Sequence, residues 1–448
     1  MKQPWLTSVF PIALLFSFRM LGLFMLIPVF TIYANNLIFA TPTLIGIALG
    51  SYGLSQGLLQ IPFGLLSDRF GRKPIITIGL ILFAIGSILG AFTTSIYGMI
   101  FARIIQGTGA IGSVLIALLA DLTTDEQRTK SMAVIGITIG FSFTLAMILS
   151  PILTNSYGLA GIFYLTTILA ILGLLILHIV IPTPKKAPFQ VDKKNYFLLF
   201  KQVFFNEHLQ RLNIGIFCQH FILTSTFFII PLLLKQQINY GNLSKQWHFY
   251  LPLMIISFIT MLPLISLAEK KNQIKNVFVG AVIISCLSQL ALYFTSQYWT
   301  AIYIFMFTYF VAFNYLEASL PSLVSRQANA FSKGTAMGIY SSSQFLGIFA
   351  GGTTAGIVCQ FFNNNAIFIT NFIIAAIWLI ISFYLKPNIY QITIRLPDNK
   401  SIHNLSSRLK QLETLTGVDE VIAKENAIYL NINKSNYIEG SAETILLK

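Results

Sequence analysis

The sequence has little charge and little cysteine, and both shortages narrow the classes of protein it can represent. Only 10% of its 448 residues are charged, against about 25% in an ordinary soluble domain. Its three cysteines, Cys218, Cys286 and Cys359, lie far apart in apolar runs. They form neither a disulfide framework nor a metal-binding pattern. We therefore expect no soluble enzyme, no cofactor and no bound metal.

Acidic residues are the scarcer kind of charge, and the basic excess is confined to the apolar part of the chain. Asp and Glu number 15 against 29 Lys and Arg, which gives a formal net charge of +14. From Pro387 onward the two kinds are equal in number, so the excess belongs to residues 1–386. Membrane proteins acquire such an excess from basic loops that stay in the cytoplasm. We therefore predict a lipid bilayer, and no nucleic acid, as partner.

Hydrophobic runs are abundant, since 55% of the residues are hydrophobic. A helix needs about 20 apolar residues to cross a bilayer. Twelve segments come close to this length, at about 7–33, 43–65, 74–93, 96–119, 131–153, 161–182, 210–234, 248–268, 274–295, 299–323, 333–360 and 365–386. The first has no cleavage site of small residues, so we interpret it as a retained helix. The sequence predicts an all-α membrane protein with twelve transmembrane helices in two six-helix halves.

Basic connections alternate with nearly uncharged ones along the chain. The second connection carries Arg69, Arg72 and Lys73, whereas the first and third, ANNLIFATPT and TTSIY, carry no charge. Basic loops remain in the cytoplasm. We therefore predict a multi-pass protein of the bacterial inner membrane with both termini cytoplasmic.

The chain divides into two apolar halves, 1–182 and 210–386, a linker, 183–209, and a tail, 387–448. A shift of 201 residues aligns Glu269 with Asp68 and Lys270 with Arg69, a weak repeat typical of transporters.

The basic, aromatic-rich linker is either a plain cytoplasmic connection or an interfacial amphipathic stretch. The tail pattern predicts a β-α-β-β order, hence a small α+β domain of the ferredoxin-like kind. It lacks the CxxC of a metal carrier.

The stretch GLLSDRFGRKPI, residues 64–75, is unusually charged for its apolar surroundings. The retention of basic loops in the cytoplasm explains the three basic residues of this stretch, but it explains neither its acidic residue nor its two glycines. The acid, Asp68, can neutralise a helix N-terminus, and Arg72 can pair with Asp121, the nearby acid at equal depth. We predict a gate that holds the outward-facing state and breaks when the carrier opens inward. Its residues are Gly64, Asp68, Arg69, Gly71, Arg72 and Asp121.

Charged side chains inside apolar segments are costly in lipid and are candidate functional groups. Arg19 lies midway along the first segment, Arg103 in the outer half of the fourth, and Glu317 in the tenth. Each arginine either takes part in transport or only packs and pairs. Glu317 is either a proton carrier or a gate residue. The first role is suggested because apolar surroundings favour the neutral acid. His220 is either a second titrating group or a satisfied core residue. Four polar residues either line a cavity or bond between helices: Gln56, Gln60, Asn314 and Gln344.

Two stretches are similar to motifs of the major facilitator superfamily. Residues 64–73 resemble its loop motif, G-x-x-x-D-R-x-G-R-K, and RIIQGTGAIG, residues 103–112, resembles its R-x-x-Q-G-x-G motif. The second stretch also contains G-x-G-x-x-G, but no strand precedes it, which argues against a dinucleotide site. FRMLGLFMLIPVF, FNYLEASLPSLVS and GTAMGIYSSSQFLG, together with the tail, resemble the YajR-type transporters of the drug:proton antiporter branch.

This resemblance implies a secondary active transporter for proton-coupled efflux of a small, cationic or amphiphilic compound by alternating access. It also implies a role in proton transfer for the arginine of the fourth helix, here Arg103. Phe141 follows Gly140 where the branch has Pro, which weakens the prediction of antiport. The alternatives are a proton-coupled nutrient symporter and a membrane sensor that signals through the tail. We expect a monomer whose tail binds a ligand or self-associates.

Overall fold

The computed structural model describes residues 5–123, 125–183, 200–270, 273–328, 332–385, 389–395, 405–424, 427–433, 436–438 and 440–447. Residues up to 183 are termed the first half and residues 200–385 the second half. The helices of the first half are α1 Trp5–Phe24, α2 Phe30–Ala34, α3 Pro42–Phe70, α4 Arg72–Phe92, α5 Ile96–Thr108, α6 Gly112–Leu122 and α7 Asp125–Leu175, followed by a π-helical turn, Ile176–Val180. Those of the second half are α8 Glu207–Asn239, α9 Gln246–Lys270, α10 Ile274–Thr295, α11 Trp299–Gln327, α12 Lys333–Phe361 and α13 Ala366–Phe383.

Proline and glycine explain where these helices depart from the predicted segments. Pro28 lies between α1 and α2, where its missing N–H and its ring interrupt the helix. α5 and α6 are separated near Gly109, and the Ala110 N–H donates to the Thr108 carbonyl at 2.8 Å instead of continuing the helix. The fifth and sixth predicted segments both lie within α7, which consists of two helices that meet at Gly158. Its φ of 62° is a conformation that glycine adopts without steric cost.

The outer surface of the bundle is apolar. Nine helical stretches in the described part of the chain are long and apolar enough to cross a membrane. On α4, the large side chains of Ile78, Ile81, Ile85 and Phe92 are all exposed and lie three to seven residues apart, on one side of the helix. An apolar face exposed along the length of a helix is characteristic of a membrane-facing surface. The fold is an all-helical membrane bundle with about nine to twelve apolar helices.

Glycines bring the two halves into direct backbone contact along α3 and α12. A Cβ atom added to Gly50 would lie 2.8 Å from the Cα atom of Phe349, and one added to Gly46 would lie 2.9 Å from the Cα atom of Gly356. Small residues permit such an approach between membrane helices. Gly53 and Gly57 continue the same face of α3. These glycines and their partners on α12 are termed the α3–α12 contact.

The α3–α12 contact covers one end of the bundle. Its last close approach joins Gly57 to Ser342, whose carbonyl oxygen would lie 3.1 Å from an added Cβ. Two turns further along α3, a Cβ on Gly64 would meet Ser113 of the first half at 3.6 Å, and a Cβ on Gly334 would meet no described atom within 4 Å. The halves are therefore packed together at the end where α3 begins. Toward the other end, where α4 begins with Arg72, the described glycines of α3 and α12 make no approach between the halves beyond that of Gly338 to Ile61 at 3.9 Å. This end is termed the basic end.

The tail contains strands β1 Ile389–Arg395, β2 Val418–Lys424 and β3 Ala427–Asn433, with helices α14 Leu405–Glu413 and α15 Ser441–Leu447. The strand order is β1-β3-β2 and both pairings are antiparallel, so β3 lies between the two strands that precede and follow α14. Leu430 of β3 pairs with Ile392 on one side and Val421 on the other. Leu412 of α14 and Ala442 of α15 are fully buried against this sheet. The described part of the tail therefore has its own small core, and its ferredoxin-like classification stays a prediction.

Candidate functional site

The gate residues at the basic end are arranged around one guanidinium group. Gly71, with a φ of 99°, makes the turn between α3 and α4 and lets Arg72 fold back toward α3. The Nη1 atom of Arg72 donates to a carboxylate oxygen of Asp68 and, at 2.7 Å, to the Ser67 hydroxyl. Its Nε atom donates to Asp121 Oδ2 at 2.8 Å. Arg72 therefore links α3, α4 and α6.

These contacts of Arg72 stay within the first half. The Ser67 hydroxyl donates to the Gly64 carbonyl at 2.7 Å, which completes the cluster on the α3 side. Arg69 lies outside it, with its guanidinium carbon 5.3 Å from the centre of the Phe70 ring. The bonds therefore hold the three helices of one half together. That they also act as a gate between two states stays a prediction.

Arg72→Gln is expected to lower the melting temperature of the purified protein. The change removes two charged hydrogen bonds and leaves two carboxylates facing each other. Such bonds contribute about 1.5–3 kcal/mol each when shielded, but Asp121 is 39% exposed, so solvent screening reduces the loss to about 1 kcal/mol. Arg69→Gln removes the same charge without these bonds and is the control. Equal melting temperatures for the two variants would contradict the prediction.

Glu317 belongs to a polar cluster formed by α8, α11 and α12. The Gln219 amide donates to Glu317 Oε2 at 2.9 Å, and the Gln344 amide donates to Oε1 at 3.4 Å. The same Gln344 nitrogen lies 2.8 Å from His220 Nε2, which in turn lies 3.9 Å from Glu317 Oε2. The Glu317 side chain is 31% exposed, whereas that of His220 is 3% exposed. These four residues are termed the Glu317 cluster.

Glu317 is not neutralised by a fixed cation in the described part of the chain. Its ion-pair contact there is with His220, which is charged only when protonated. Amide donors from Gln219 and Gln344 satisfy the carboxylate without supplying a positive charge. An ionisable group with such partners in a membrane interior is characteristic of a proton or substrate pathway.

Aromatic rings close the boundary between the halves beside the Glu317 cluster. Phe143 of α7 stacks on Phe313 of α11 with ring centroids 6.2 Å apart, and Phe310 lies 6.3 Å from Phe143. The Phe313 ring also lies 6.1 Å from the His220 ring. Phe227 of α8 extends the group, at 5.9 Å from Phe310. A change in the separation of the halves would therefore move rings that contact the Glu317 cluster.

Arg103 is fully enclosed in the first half and has partners there. Its Nη1 atom donates to Gln106 Oε1 at 2.5 Å, and the Gln106 amide donates to the Ser87 hydroxyl at 2.9 Å. The guanidinium carbon lies 4.8 Å from the centre of the Tyr52 ring, a distance at which a cation is attracted to an aromatic face. These contacts stabilise the packing of α3, α4 and α5. A role for Arg103 in proton transfer stays a prediction.

Arg19 is equally buried but has different surroundings. It is 2% exposed, and its three guanidinium nitrogens have no hydrogen-bond partner among the described residues. Its Nη1 atom and the Gln60 Nε2 atom each lie 3.1 Å from the position that a Cβ on Gly112 would take. The Gln56 amide donates to Gln60 Oε1 at 2.8 Å. Gln60 therefore lies next to Arg19 in the interior of the first half, and Gln56 is bonded to Gln60.

The predicted site residues fall into four separate groups, around Arg72, Glu317, Arg103 and Arg19, and their partners include residues that sequence reasoning missed. Ser67 bonds to Arg72, Gln219 bonds to Glu317, and Tyr52 stacks on Arg103. Tyr52 had a detectable signal, because it precedes Gln56 by four residues and so shares a polar face of α3 with it. Asn314 bonds to the Ser257 hydroxyl of α9 at 3.2 Å, which is a contact between helices.

Several known proteins are similar to this chain in sequence or in fold. Residues 12–352 and 212–410 match the Major Facilitator Superfamily. The chain is 40% identical over 424 residues to the inner membrane transport protein YajR of Escherichia coli (strain K12), which covers 93% of this chain and 92% of that protein. It is 37% identical over 372 residues to an uncharacterized transporter of Buchnera aphidicola subsp. Schizaphis graminum, which covers 83% of this chain and 95% of that protein.

Solved structures agree with this assignment at the level of the fold. The crystal structure of the D-xylose-proton symporter superimposes with a TM-score of 0.66 at 17% identity, covering 86% of this chain and 98% of that one. The predicted resemblance to the superfamily is confirmed, and so is the prediction that the protein is not an enzyme. The chain belongs to the major facilitator superfamily of multi-pass membrane transporters.

Proposed function

We propose that this transporter exports a small organic compound, cationic or amphiphilic, in exchange for protons. The observation that carries the proposal is the Glu317 cluster. A carrier driven by protons needs a group that is protonated on one side of the membrane and deprotonated on the other. Glu317 is suited to this task because it is partly exposed, lies in the bundle interior and has amide partners rather than a fixed cation. His220 is the neighbouring group that can receive or return the proton.

Alternating access is supported by the unequal packing of the halves. Transporters with repeated halves work largely by rocking one half against the other. We propose that residues 1–182 and 210–386 are the two six-helix units and that residues 183–209 connect them. With the basic end in the cytoplasm, packing along the α3–α12 contact corresponds to an inward-facing arrangement. In the opposite state this contact would open and the basic end would close.

The direction of transport rests on the resemblance of the sequence motifs to the drug:proton antiporter branch. The bonds around Arg72 are formed in this inward-facing arrangement, so in this proposal they hold α3, α4 and α6 together as a unit and do not break when the carrier opens inward. The tail, residues 387–448, would be a cytoplasmic ferredoxin-like domain that regulates transport. Its strand β1 contacts α11, the helix that carries Glu317, so a ligand of the tail could change the position of this helix.

Proton movement in everted membrane vesicles tests the proposed function. The vesicles are acidified by respiration, and a luminal pH-sensitive dye is followed while candidate compounds are added. An antiporter is expected to release protons from the lumen as it takes up its substrate. Vesicles without the protein and vesicles treated with a protonophore are the controls. Proton movement in the same direction as the substrate would show symport, and none across a broad panel would refute the proposed coupling.

A further inference from the structure

We propose that Arg19, Gln60 and the N-terminus of α6 bind an oxyanion group, a carboxylate or a phosphate, of the transported compound. The proposal rests on the proposed function, because it narrows the substrate to compounds that carry such a group. Transport of protons through the Glu317 cluster does not require an oxyanion site at Arg19.

The first observation is the unsatisfied charge of Arg19. A charged side chain without hydrogen-bond partners is very costly to bury, and buried charges in proteins are normally paired. The three guanidinium nitrogens of Arg19 lack such partners among the described residues, although the side chain is 2% exposed. Arg103 shows the ordinary solution in the same half, with Gln106 and Tyr52 as partners. Arg19 therefore lacks the hydrogen-bond acceptors and the negative charge that an anionic ligand would supply.

The second observation is that donors from α1 and α3 lie beside the first residue of α6. Gly112 begins α6, an 11-residue helix, and no side chain caps its first turn. The guanidinium Nη1 of Arg19 and the amide Nε2 of Gln60 each lie 3.1 Å from the Cβ position of Gly112. The amide of Gln60 is free to face this point because its oxygen accepts from Gln56. The uncapped N–H groups of a helix N-terminus also attract anions.

The position of these residues suits a substrate site rather than a surface site. Gln60 precedes Asp68 by eight residues on α3, which places it about 12 Å from the gate along the helix axis. The donors beside Gly112 belong to the first half, whereas Glu317 belongs to the second. An oxyanion fits because the guanidinium group can donate to two oxygens at once.

Removing the charge of Arg19 gives the first part of the test. Thermal unfolding is measured on the full-length protein and on Arg19→Met, without ligand. The melting temperature is expected to stay equal or rise, because replacing an unpaired buried charge with an apolar side chain removes a desolvation cost. Arg103→Met is the matched control and is expected to unfold at a lower temperature, because its bonds are lost. A comparable decrease in Arg19→Met would show a structural role and overturn the proposal.

Binding of defined probes gives the second part. Acetate is compared with acetamide, benzoate with benzamide, and inorganic phosphate with chloride, at equal ionic strength. At least one oxyanion is expected to raise the melting temperature of the unchanged protein and of Arg103→Met, but not that of Arg19→Met. A response to carboxylates alone or to phosphate alone identifies the group.

No oxyanion effect on the unchanged protein, or the same effect on Arg19→Met, would overturn the proposal. This result is separable from the proposed function. An oxyanion effect that depends on Arg19, without proton movement in vesicles, would refute proton coupling and leave the binding site in place. Proton movement in vesicles without an oxyanion effect would refute the binding site and leave proton coupling in place.

Discussion

Glu317→Gln is expected to abolish proton-driven transport while leaving the protein folded and able to exchange substrate. The amide has nearly the same shape as the carboxyl group. Its oxygen can still accept a hydrogen bond from one of Gln219 and Gln344, and the other glutamine can flip its own amide to accept from the new NH2 group, so the packing of the cluster is kept. It cannot bind and release a proton in the pH range of a cell. A carrier that uses this group for coupling would then move substrate only down its own gradient.

Two assays in proteoliposomes separate the effects of this change. Net uptake driven by an imposed pH gradient is expected to fall to the level of empty liposomes, whereas exchange of labelled for unlabelled substrate continues. Glu207→Gln makes the same chemical change at an exposed carboxylate paired with Arg211 at the start of α8, and is expected to transport normally. Full proton-driven uptake by Glu317→Gln would remove Glu317 from the coupling mechanism. Loss of exchange as well would indicate that the residue is needed for binding.

Much of the fold follows from local features of the sequence. Apolar runs of helical length locate the membrane helices, and Pro28 and Gly158 lie where the helices are interrupted or kinked. The break within α7 also has a local signal. The stretch NSYGLA is typical of a loop, and the two helices of α7 meet within it at Gly158, whose φ and ψ angles are not helical.

The partners within the site were the least predictable part. Arg72 and Asp121 could be matched because both are charged and are placed at the same depth by their segments. The link from Glu317 to Gln219 spans 98 residues and depends on how α8 and α11 are rotated about their axes. Hydropathy alone does not determine that rotation, since both helices are apolar on most sides. For the same reason, the polar residues Asn314 and Gln344 could not be divided between helix contacts and a cavity.

Gly50→Val is expected to reduce transport strongly, because it introduces a side chain into the α3–α12 contact. The added Cβ would lie 2.8 Å from both the Cα atom and the carbonyl oxygen of Phe349, so the two helices would have to move apart. Overpacking of this kind costs about 1–3 kcal/mol. A cost of that size against one of two states shifts their ratio by about 5- to 150-fold. A carrier that must visit both states would then spend too little time in the packed one.

Spin labels placed near this contact distinguish a shifted equilibrium from a damaged protein. With the three native cysteines replaced, labels at the exposed residues Phe39 and Phe361 are expected to show longer distances in Gly50→Val. Gly280→Val is the control, because no described atom lies within 4 Å of its Cβ position and the change in helix propensity is the same. It is expected to keep both the distances and the transport rate. Normal transport and unchanged distances in Gly50→Val would show that the halves alternate without closing the α3–α12 contact.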